Sequence, residues 1–200
     1  MSRIVVEGPI GVGKTSLARI LAAEIEARLV LEVVEENPFL APFYRDPARF
    51  AFNVQVFFLL SRFKQVRDLD QGALFTRHTV TDYLFDKDWI FASLNLEGDE
   101  WELYQDLYQN LRPKLTTPDL VVYLRAGTDV LLERIARRGR PFEHDMDETY
   151  LRRLSEAYDA YFAHYPHRMH VVEAGDLDFV SRGEDRDALL GDVLQLARVA

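Results

Sequence analysis

Short apolar runs alternate along the chain with longer segments whose apolar residues recur at helical spacing. The short runs predict buried strands at Arg3–Glu7, Leu29–Val34, His78–Thr81, Asp119–Arg125 and Met169–Glu173. The longer segments predict helices at Lys14–Arg28, Ala48–Leu69, Tyr83–Leu96, Asp99–Leu115, Asp129–Arg138, Asp147–His164 and Glu184–Arg198. This alternation implies right-handed crossovers and an α/β fold, a five-stranded parallel sheet flanked by helices. Ligands of such sheets bind beyond the carboxyl ends of the strands.

One predicted helix, Ala48–Leu69, is apolar around nearly its whole circumference, and its centre is AFNVQVFFLLSRF. A helix of this kind is buried on all sides. Its partners can be the core, a ligand or a second subunit, and these three interpretations do not exclude one another.

Composition narrows the function classes. The chain has 200 residues, a formal net charge of −9 and no cysteine. The negative charge argues against binding of a nucleic-acid polymer, and the lack of cysteine excludes disulfides and thiolate chemistry. No apolar run approaches the roughly 18 residues of a membrane span, and the N-terminus does not have a signal peptide's layout. We expect one domain over residues 1–200, in a cytoplasmic enzyme.

The first predicted strand is followed by GPIGVGKT, from Gly8 to Thr15, and then by a helical segment. This is the phosphate-binding P-loop pattern in its required strand–loop–helix context, rather than a merely glycine-rich turn. Its glycines let backbone N–H groups close on phosphate oxygens, Lys14 binds the β- and γ-phosphates, and the Thr15 hydroxyl holds Mg²⁺. The predicted phosphate-binding residues are Gly8, Gly11, Val12, Gly13, Lys14, Thr15 and Ser16.

A second basic feature follows the fourth predicted strand, in the segment LLERIARRGRPFE. Arg134 and Arg138 are four residues apart and share a helix face, and Arg140 follows the helix-ending Gly139. We expect these three arginines to form a lid, over about residues 134–146, that stabilises the charge of a transferring phosphoryl group. Arg137 is expected to face outward. The alternative is a solvated basic helix end.

Carboxylates follow the second and third predicted strands. A kinase that acts on an alcohol gains from a carboxylate that accepts the hydroxyl proton. Glu32 is the preferred candidate for this base, with Glu35 as the alternative; solvated loop charges are the remaining interpretation. Asp82 ends the third strand and is a candidate Mg²⁺ ligand beside Thr15, although a helix-capping aspartate has the same appearance.

Together these segments resemble the deoxynucleoside kinase family, and most closely its bacterial purine-specific members. The likeness covers most of the chain, in VEGPIGVGKTSLA, EVVEENPFLAPFYRDPARFAFNVQVFFLLSRF, IFASLN, ERIARRGRPFE and AGDLDFV. The resemblance implies a P-loop kinase fold with an arginine lid, ATP and Mg²⁺ as cofactors, and a dimer. The dimer would be a homodimer or a heterodimer with a related subunit.

The resemblance also implies residue roles. Glu32 falls on the catalytic base, Gln55 on the base-reading glutamine and Phe91 on an aromatic residue that packs against the base. Tyr44 and Glu143 fall on residues that bind the sugar 3′-hydroxyl. The remaining matches are Arg62, which reaches the far edge of the base or neighbouring groups, Phe179, which lies in the segment that holds the adenine of ATP, and the lid arginines Arg134, Arg138 and Arg140.

Each role has a structural alternative. Phe91 and Tyr44 suit a core, Gln55 suits a buried helix, and Glu143 suits a partner for Arg140. The sequence also departs from many members of the family, which carry an acidic residue followed by arginine after the third strand. Here the segment is Thr81-Asp82-Tyr83. Whether Thr81 or Asp82 is aligned with the acidic residue, no arginine follows it, and Arg77 or Arg62 is the expected substitute.

The predicted reaction is the ATP-dependent phosphorylation of a deoxynucleoside 5′-hydroxyl, with a purine base favoured. Gln55 and Arg62 offer donors and acceptors to a purine edge, and Phe58 and Phe91 are expected to sandwich the ring. The alternatives are a nucleoside monophosphate kinase or other small-molecule P-loop kinase, and a non-catalytic ATP-binding partner subunit.

Overall fold

Five strands form one sheet in which every pairing is parallel. The computed structural model describes residues 2–33, 36–72, 77–140, 143 and 146–197, without the side chains of residues 70–72. The sheet order is β2-β3-β1-β4-β5. The strands are β1 Ser2–Glu7, β2 Arg28–Val30, β3 His78–Thr81, β4 Leu120–Arg125 and β5 Met169–Glu173.

The central strands are the most deeply buried part of the sheet. In β1 the last four residues are buried, and in β4 all but the last are. Strands covered on both faces by helices have continuous apolar runs rather than alternating ones. Because β1 lies between β3 and β4, the chain order changes direction next to β1, and such a switch point opens a crevice at the carboxyl ends of the strands.

Eight helices accompany the sheet in the described part of the chain. They are α1 Lys14–Glu24, α2 Leu40–Arg45, α3 Pro47–Gly72, α4 Lys87–Asn95, α5 Gly98–Leu111, α6 Thr128–Arg138, α7 Glu148–Phe162 and α8 Gly183–Ala197, with a 3-10 turn at Arg112–Lys114. In this described part, no helix combines the length and the apolar character that crossing a bilayer requires.

The prediction of the α/β class is confirmed, while several boundaries were wrong. The second strand spans Arg28–Val30 instead of Leu29–Val34, of which Val34 lies outside the described residues. The first helix therefore ends at Glu24, short of Arg28, because Arg28 already pairs with β3. The six-residue helix α2 was missed, since it is too short for a periodic apolar pattern.

The buried side chains form two clusters. The larger one surrounds the sheet, and the smaller one gathers α2, α3, α4 and α5. The apolar helix α3 is the centre of the smaller cluster through residues such as Val54, Phe58 and Leu59. The single chain does not bury α3 on all sides, because Leu60 on its outer face is 50% exposed, and cover of that face by a second subunit stays a prediction.

Candidate active site

The loop between β1 and α1 has a backbone that only glycine adopts readily. Gly11 and Gly13 have φ values of 87° and 109°. A Cβ atom on Gly11 would lie 2.8 Å from the carbonyl oxygen of Leu131, and one on Gly13 would lie 3.0 Å from the ring of Phe179. The absence of side chains at Gly11 and Gly13 therefore allows the loop to pack closely against α6 and Phe179. The loop leads directly into the N-terminus of α1, and helix N-termini bind anions.

Beneath the loop lies a fully buried carboxylate, that of Glu7. It accepts hydrogen bonds from the Gly8 backbone N–H at 2.8 Å, from the Leu84 backbone N–H at 2.6 Å and from the Tyr158 hydroxyl at 3.1 Å. Burial raises its pKa, although Lys87 and Lys14 oppose that effect. Glu7 thus joins the P-loop to the segment that follows β3.

Lys14 is folded back onto the loop. Its ammonium group donates to the carbonyl oxygens of Gly8 at 2.7 Å and of Pro9 at 3.0 Å. Burial, followed by the charge of Lys87, lowers the pKa of Lys14 to about 8, against the opposing carboxylates of Glu7, Glu32 and Asp82. An anion bound in the loop would add to the negative charge of these carboxylates and favour the protonated form of Lys14.

Asp82 connects the P-loop to the end of β2. Its Oδ2 accepts a hydrogen bond from the Thr15 hydroxyl at 2.5 Å, and its Oδ1 accepts one from the Glu32 backbone N–H at 2.7 Å. The neighbouring Thr81 hydroxyl instead donates to the Tyr83 carbonyl oxygen at 3.0 Å. The structure therefore places Asp82, and not Thr81, beside the P-loop.

Glu32 holds two cations. Its Oε1 accepts from Nε and from a terminal nitrogen of Arg62, and its Oε2 accepts from Nζ of Lys87 at 2.7 Å. A further terminal nitrogen of Arg62 forms an ion pair with Asp88. Although burial alone would raise it, the pKa of Glu32 lies well below its usual range because of Arg62 and Lys87. The alternative base, Glu35, lies outside the described residues.

One face of α3 and the adjoining helix α4 line a pocket next to Glu32. Gln55, Phe58 and Arg62 occupy successive turns of α3 and are buried, and the Arg62 guanidinium lies 4.7 Å from the centre of the Phe58 ring. Phe91 on α4 also lines the pocket, and Nζ of Lys87 lies 5.4 Å from the centre of its ring. Gln55 is therefore the amide within an otherwise aromatic and cationic pocket.

The arginines after β4 differ in their contacts. Arg138 donates from Nε to the Glu143 carboxylate at 3.1 Å, and Arg140 lies 3.6 Å from the same carboxylate. Arg134 instead donates to the carbonyl oxygens of Val12 at 3.1 Å and Ala174 at 2.8 Å. Arg134 therefore ties the P-loop to the segment after β5, a contact that the sequence did not predict.

The helix carrying these arginines ends as the sequence predicts. Gly139 takes a left-handed conformation with φ 68° and caps the helix. Arg137 was expected to face outward, and it is exposed, but it also lies along the rim of the cavity.

The predicted sugar- and adenine-binding residues have different neighbours in the site. Tyr44 lies near Glu143, and burial is the main cause that raises the pKa of its hydroxyl. The Glu143 side chain is buried between Arg138 and Arg140. Phe179, from the segment after β5, is only 3% exposed and packs beneath Gly13.

The P-loop, Glu32, the pocket on α3 and the arginines after β4 meet in one cavity of about 960 Å³. With the exception of Gly8, every residue that the sequence predicts for the site lines it. The Gly8 backbone instead takes part through its bonds to Glu7 and Lys14. The volume of this cavity is at the upper end of the range of small-molecule sites, and its walls combine a phosphate cradle with an aromatic pocket.

Comparison with known proteins agrees with this geometry. Residues 4–197 match the model of the family described as deoxynucleoside kinase. The deoxyguanosine kinase of Bacillus subtilis is 33% identical over 199 residues, covering 96% of each chain. The deoxyadenosine kinase of Lactobacillus acidophilus is 30% identical over 205 residues, covering 95% of this chain and 94% of the relative.

A solved structure gives the same result. The deoxyadenosine kinase of M. mycoides with bound dCTP has a TM-score of 0.83 and 26% identity, covering 96% of this chain and 99% of that one. The chain belongs to the deoxynucleoside kinase family. The resemblance noted in the sequence is confirmed, as are the P-loop kinase fold and the class of ATP-dependent phosphotransferase.

The kinase also contains site residues that sequence reasoning missed, namely Glu7, Lys87 and Asp88. Glu7 could have been found as a carboxylate that ends an apolar central strand. Lys87 precedes Phe91 by four residues and so shares its helix face. Of the two expected substitutes for the missing arginine, Arg77 is exposed. Its carbonyl oxygen accepts a hydrogen bond from the Ser2 backbone N–H at the amino end of β3, whereas the site lies at the carboxyl ends of the strands.

Proposed function

We propose that this kinase transfers the γ-phosphoryl group of ATP to the 5′-hydroxyl of a purine deoxynucleoside. The observation that carries the proposal is the position of the Glu32 carboxylate, which lines one cavity together with the P-loop and the pocket of Gln55, Phe58 and Phe91. A carboxylate between a phosphate cradle and a nucleoside-sized pocket suits a reaction that joins a phosphoryl group to a hydroxyl.

In this reaction a bond forms between the 5′-oxygen and the γ-phosphorus. The bond between the γ-phosphorus and the β–γ bridging oxygen breaks, and ADP leaves. Glu32 orients the hydroxyl and accepts its proton. Because Arg62 and Lys87 keep Glu32 ionised, it is ready to accept a hydrogen bond at neutral pH, and the proton moves late, as a loose transition state allows.

The charged groups on the donor side have separate roles in the proposal. Lys14 and the P-loop amides bind the β- and γ-phosphates, for which Gly11, Val12, Gly13 and Ser16 line the cavity. Arg138 and Arg140 exchange Glu143 for phosphoryl oxygens, and Glu143 together with Tyr44 then binds the sugar 3′-hydroxyl. Phe179 borders the adenine, and Arg134 fixes the segment that carries it.

Mg²⁺ fits the residues present. The Thr15 hydroxyl and the Asp82 carboxylate meet at the edge of the phosphate cradle, and Mg²⁺ commonly takes one or two protein oxygens plus phosphates and water. We propose that these two side chains hold it. The ion would neutralise phosphate charge in the ATP complex.

The purine preference rests on the α3 face. Gln55 offers a donor pair and an acceptor to a base edge between Phe58 and Phe91. Two Arg62 N–H donors go to Glu32, and a further terminal nitrogen is paired with Asp88, so Gln55 makes the primary base contact and Arg62 adds to it. The relatives named deoxyguanosine and deoxyadenosine kinase support the same base class.

The decisive experiment measures kcat/KM for all four deoxynucleosides with ATP and Mg²⁺, alongside deoxyguanosine monophosphate as acceptor. We expect deoxyguanosine and deoxyadenosine to exceed thymidine and deoxycytidine. A preference for the monophosphate would show a nucleoside monophosphate kinase. Lack of turnover by the purified chain alone would support the non-catalytic partner subunit.

We also propose that the active form is a cytoplasmic homodimer built on α3 and its neighbour α5. Leu60 on α3 and Leu103 on α5 are large apolar side chains, 50% and 51% exposed, on two helices that pack together. A second copy would bury them. Sedimentation at micromolar concentration tests this, and a fully active monomer would refute it.

A further inference from the structure

Lys87 is a buried lysine that lines the cavity. It begins α4, its side chain is 7% exposed, and its Nζ donates to Glu32 Oε2 at 2.7 Å. A buried ammonium group costs desolvation energy and is retained where it has charged partners or a function. The Lys87 side chain therefore warrants a role beyond packing.

The position of Lys87 is between the two substrate sites. Toward the acceptor pocket, its ammonium lies 5.4 Å from the centre of the Phe91 ring. Toward the P-loop, its charge acts on both Lys14 and Glu7. A cation so placed, and bonded to the proposed base, lies where the 5′-oxygen and the γ-phosphate must meet.

The two positive charges of Lys87 and Arg62 balance the two negative charges of Glu32 and Asp88 before the reaction, but not after Glu32 takes up a proton. Arg62 lies between the carboxylates of Glu32 and Asp88, and Lys87 supplies the second positive charge of this group. When Glu32 accepts the hydroxyl proton it becomes neutral, which leaves one positive charge in excess. Lys87 is then the cation released toward the transferring group, because Arg62 keeps its pair with Asp88.

We propose that Lys87 is a catalytic residue that donates hydrogen bonds to the acceptor 5′-oxygen and to the transferring phosphoryl group. The inference rests on the proposed function. Phosphorus–oxygen bond formation and cleavage are as given above, Glu32 receives the proton, and Lys87 stays protonated throughout. Its contribution is to place positive charge where negative charge accumulates between the two substrates.

The test compares Lys87→Met, which keeps length and apolar contact but removes the charge, with Lys87→Arg, which restores charge. We expect Lys87→Met to lower kcat about 10²- to 10³-fold and to change KM for the deoxynucleoside by no more than about threefold. Lys87→Arg should recover at least about tenfold over the methionine variant. Lys114→Met, at an exposed lysine, is the matched control and should behave as wild type.

A binding measurement separates catalysis from folding. By calorimetry, Lys87→Met should weaken the deoxynucleoside 5′-monophosphate about tenfold and the unphosphorylated deoxynucleoside by no more than about twofold, since only the former carries the phosphoryl group. Equal weakening of both ligands, or kcat within threefold of an active wild type, would overturn the role of Lys87 alone. A wild-type chain that phosphorylates no deoxynucleoside would overturn the proposed function instead.

Discussion

The donor and acceptor halves of the cavity are built in different ways. The donor half consists mainly of backbone, because the P-loop follows one strand, leads into one helix and takes conformations that Gly11 and Gly13 permit. The acceptor half consists of side chains from α2, α3 and α4 and from the segment after α6. A contiguous motif specifies the first half, whereas tertiary packing assembles the second.

This difference governs how each half should respond to change. The donor half depends on local geometry and on Lys14, so loss of one side chain there should abolish phosphate binding without unfolding the sheet. In the acceptor half, Arg62 contacts Phe58, Glu32 and Asp88 together. Single substitutions there should combine effects on catalysis, specificity and stability.

The largest effect should follow Lys14→Ala in the donor half. The loss of charge stabilisation in a P-loop enzyme is worth several kcal/mol, and we expect kcat to fall at least about 10³-fold. The thermal midpoint should stay close to wild type, because the hydrogen bonds that the ammonium group makes in the described part of the chain go to two loop carbonyls. Lys64→Ala, on the exposed side of α3, is the control. Near-normal turnover of Lys14→Ala would contradict the catalytic assignment.

The second effect concerns the base. Glu32→Gln keeps the size of the side chain and removes its capacity to take a proton, so kcat should fall about 10²- to 10⁴-fold. Glu36→Gln, at an exposed position four residues later, is the matched control and should do much less. Glu35→Gln should also do little, and a severe loss there would show that the base is misassigned.

These two residues show how far sequence reaches. Lys14 was identified from a contiguous pattern whose geometry is local, and the five-stranded parallel sheet was predicted from strand–helix alternation. Glu32 remained one of two candidates, because the end of β2 was misplaced, and a loop of unknown path does not show which carboxylate faces the cavity. The pairing of β2 with β3, the strand that precedes α4, brings Lys87 to Glu32 across 55 residues of sequence, and no local pattern shows such a contact.

A smaller effect should show whether Arg62 recognises the nucleobase or only positions the catalytic base Glu32. Arg62→Ala removes the Glu32 and Asp88 contacts, so kcat/KM should fall for every deoxynucleoside. Loss of donors suited to guanine O6 and N7 should cost deoxyguanosine about tenfold more than deoxyadenosine. Arg67→Ala, on the exposed side of the same helix, is the control. Equal losses of kcat/KM for deoxyguanosine and deoxyadenosine would show that Arg62 positions Glu32 and does not recognise guanine.

The smallest effect tests whether the two halves communicate through charge. Burial and Lys87 lower the pKa of Lys14 to about 8, so Lys14 is protonated below that pH and neutral above it. The value of kcat/KM for ATP reports the free enzyme, and it should therefore decline as the pH rises through about 8. Lys87→Met removes the cation of the acceptor half and leaves the burial of Lys14, so the decline should move to higher pH. Lys64→Met keeps both the Lys87 cation and the burial of Lys14, so its kcat/KM should decline at the same pH as that of wild type. A decline at the same pH in Lys87→Met and in wild type would mean that Lys87 acts on Glu32 alone, and that the charge of the acceptor half does not reach the P-loop.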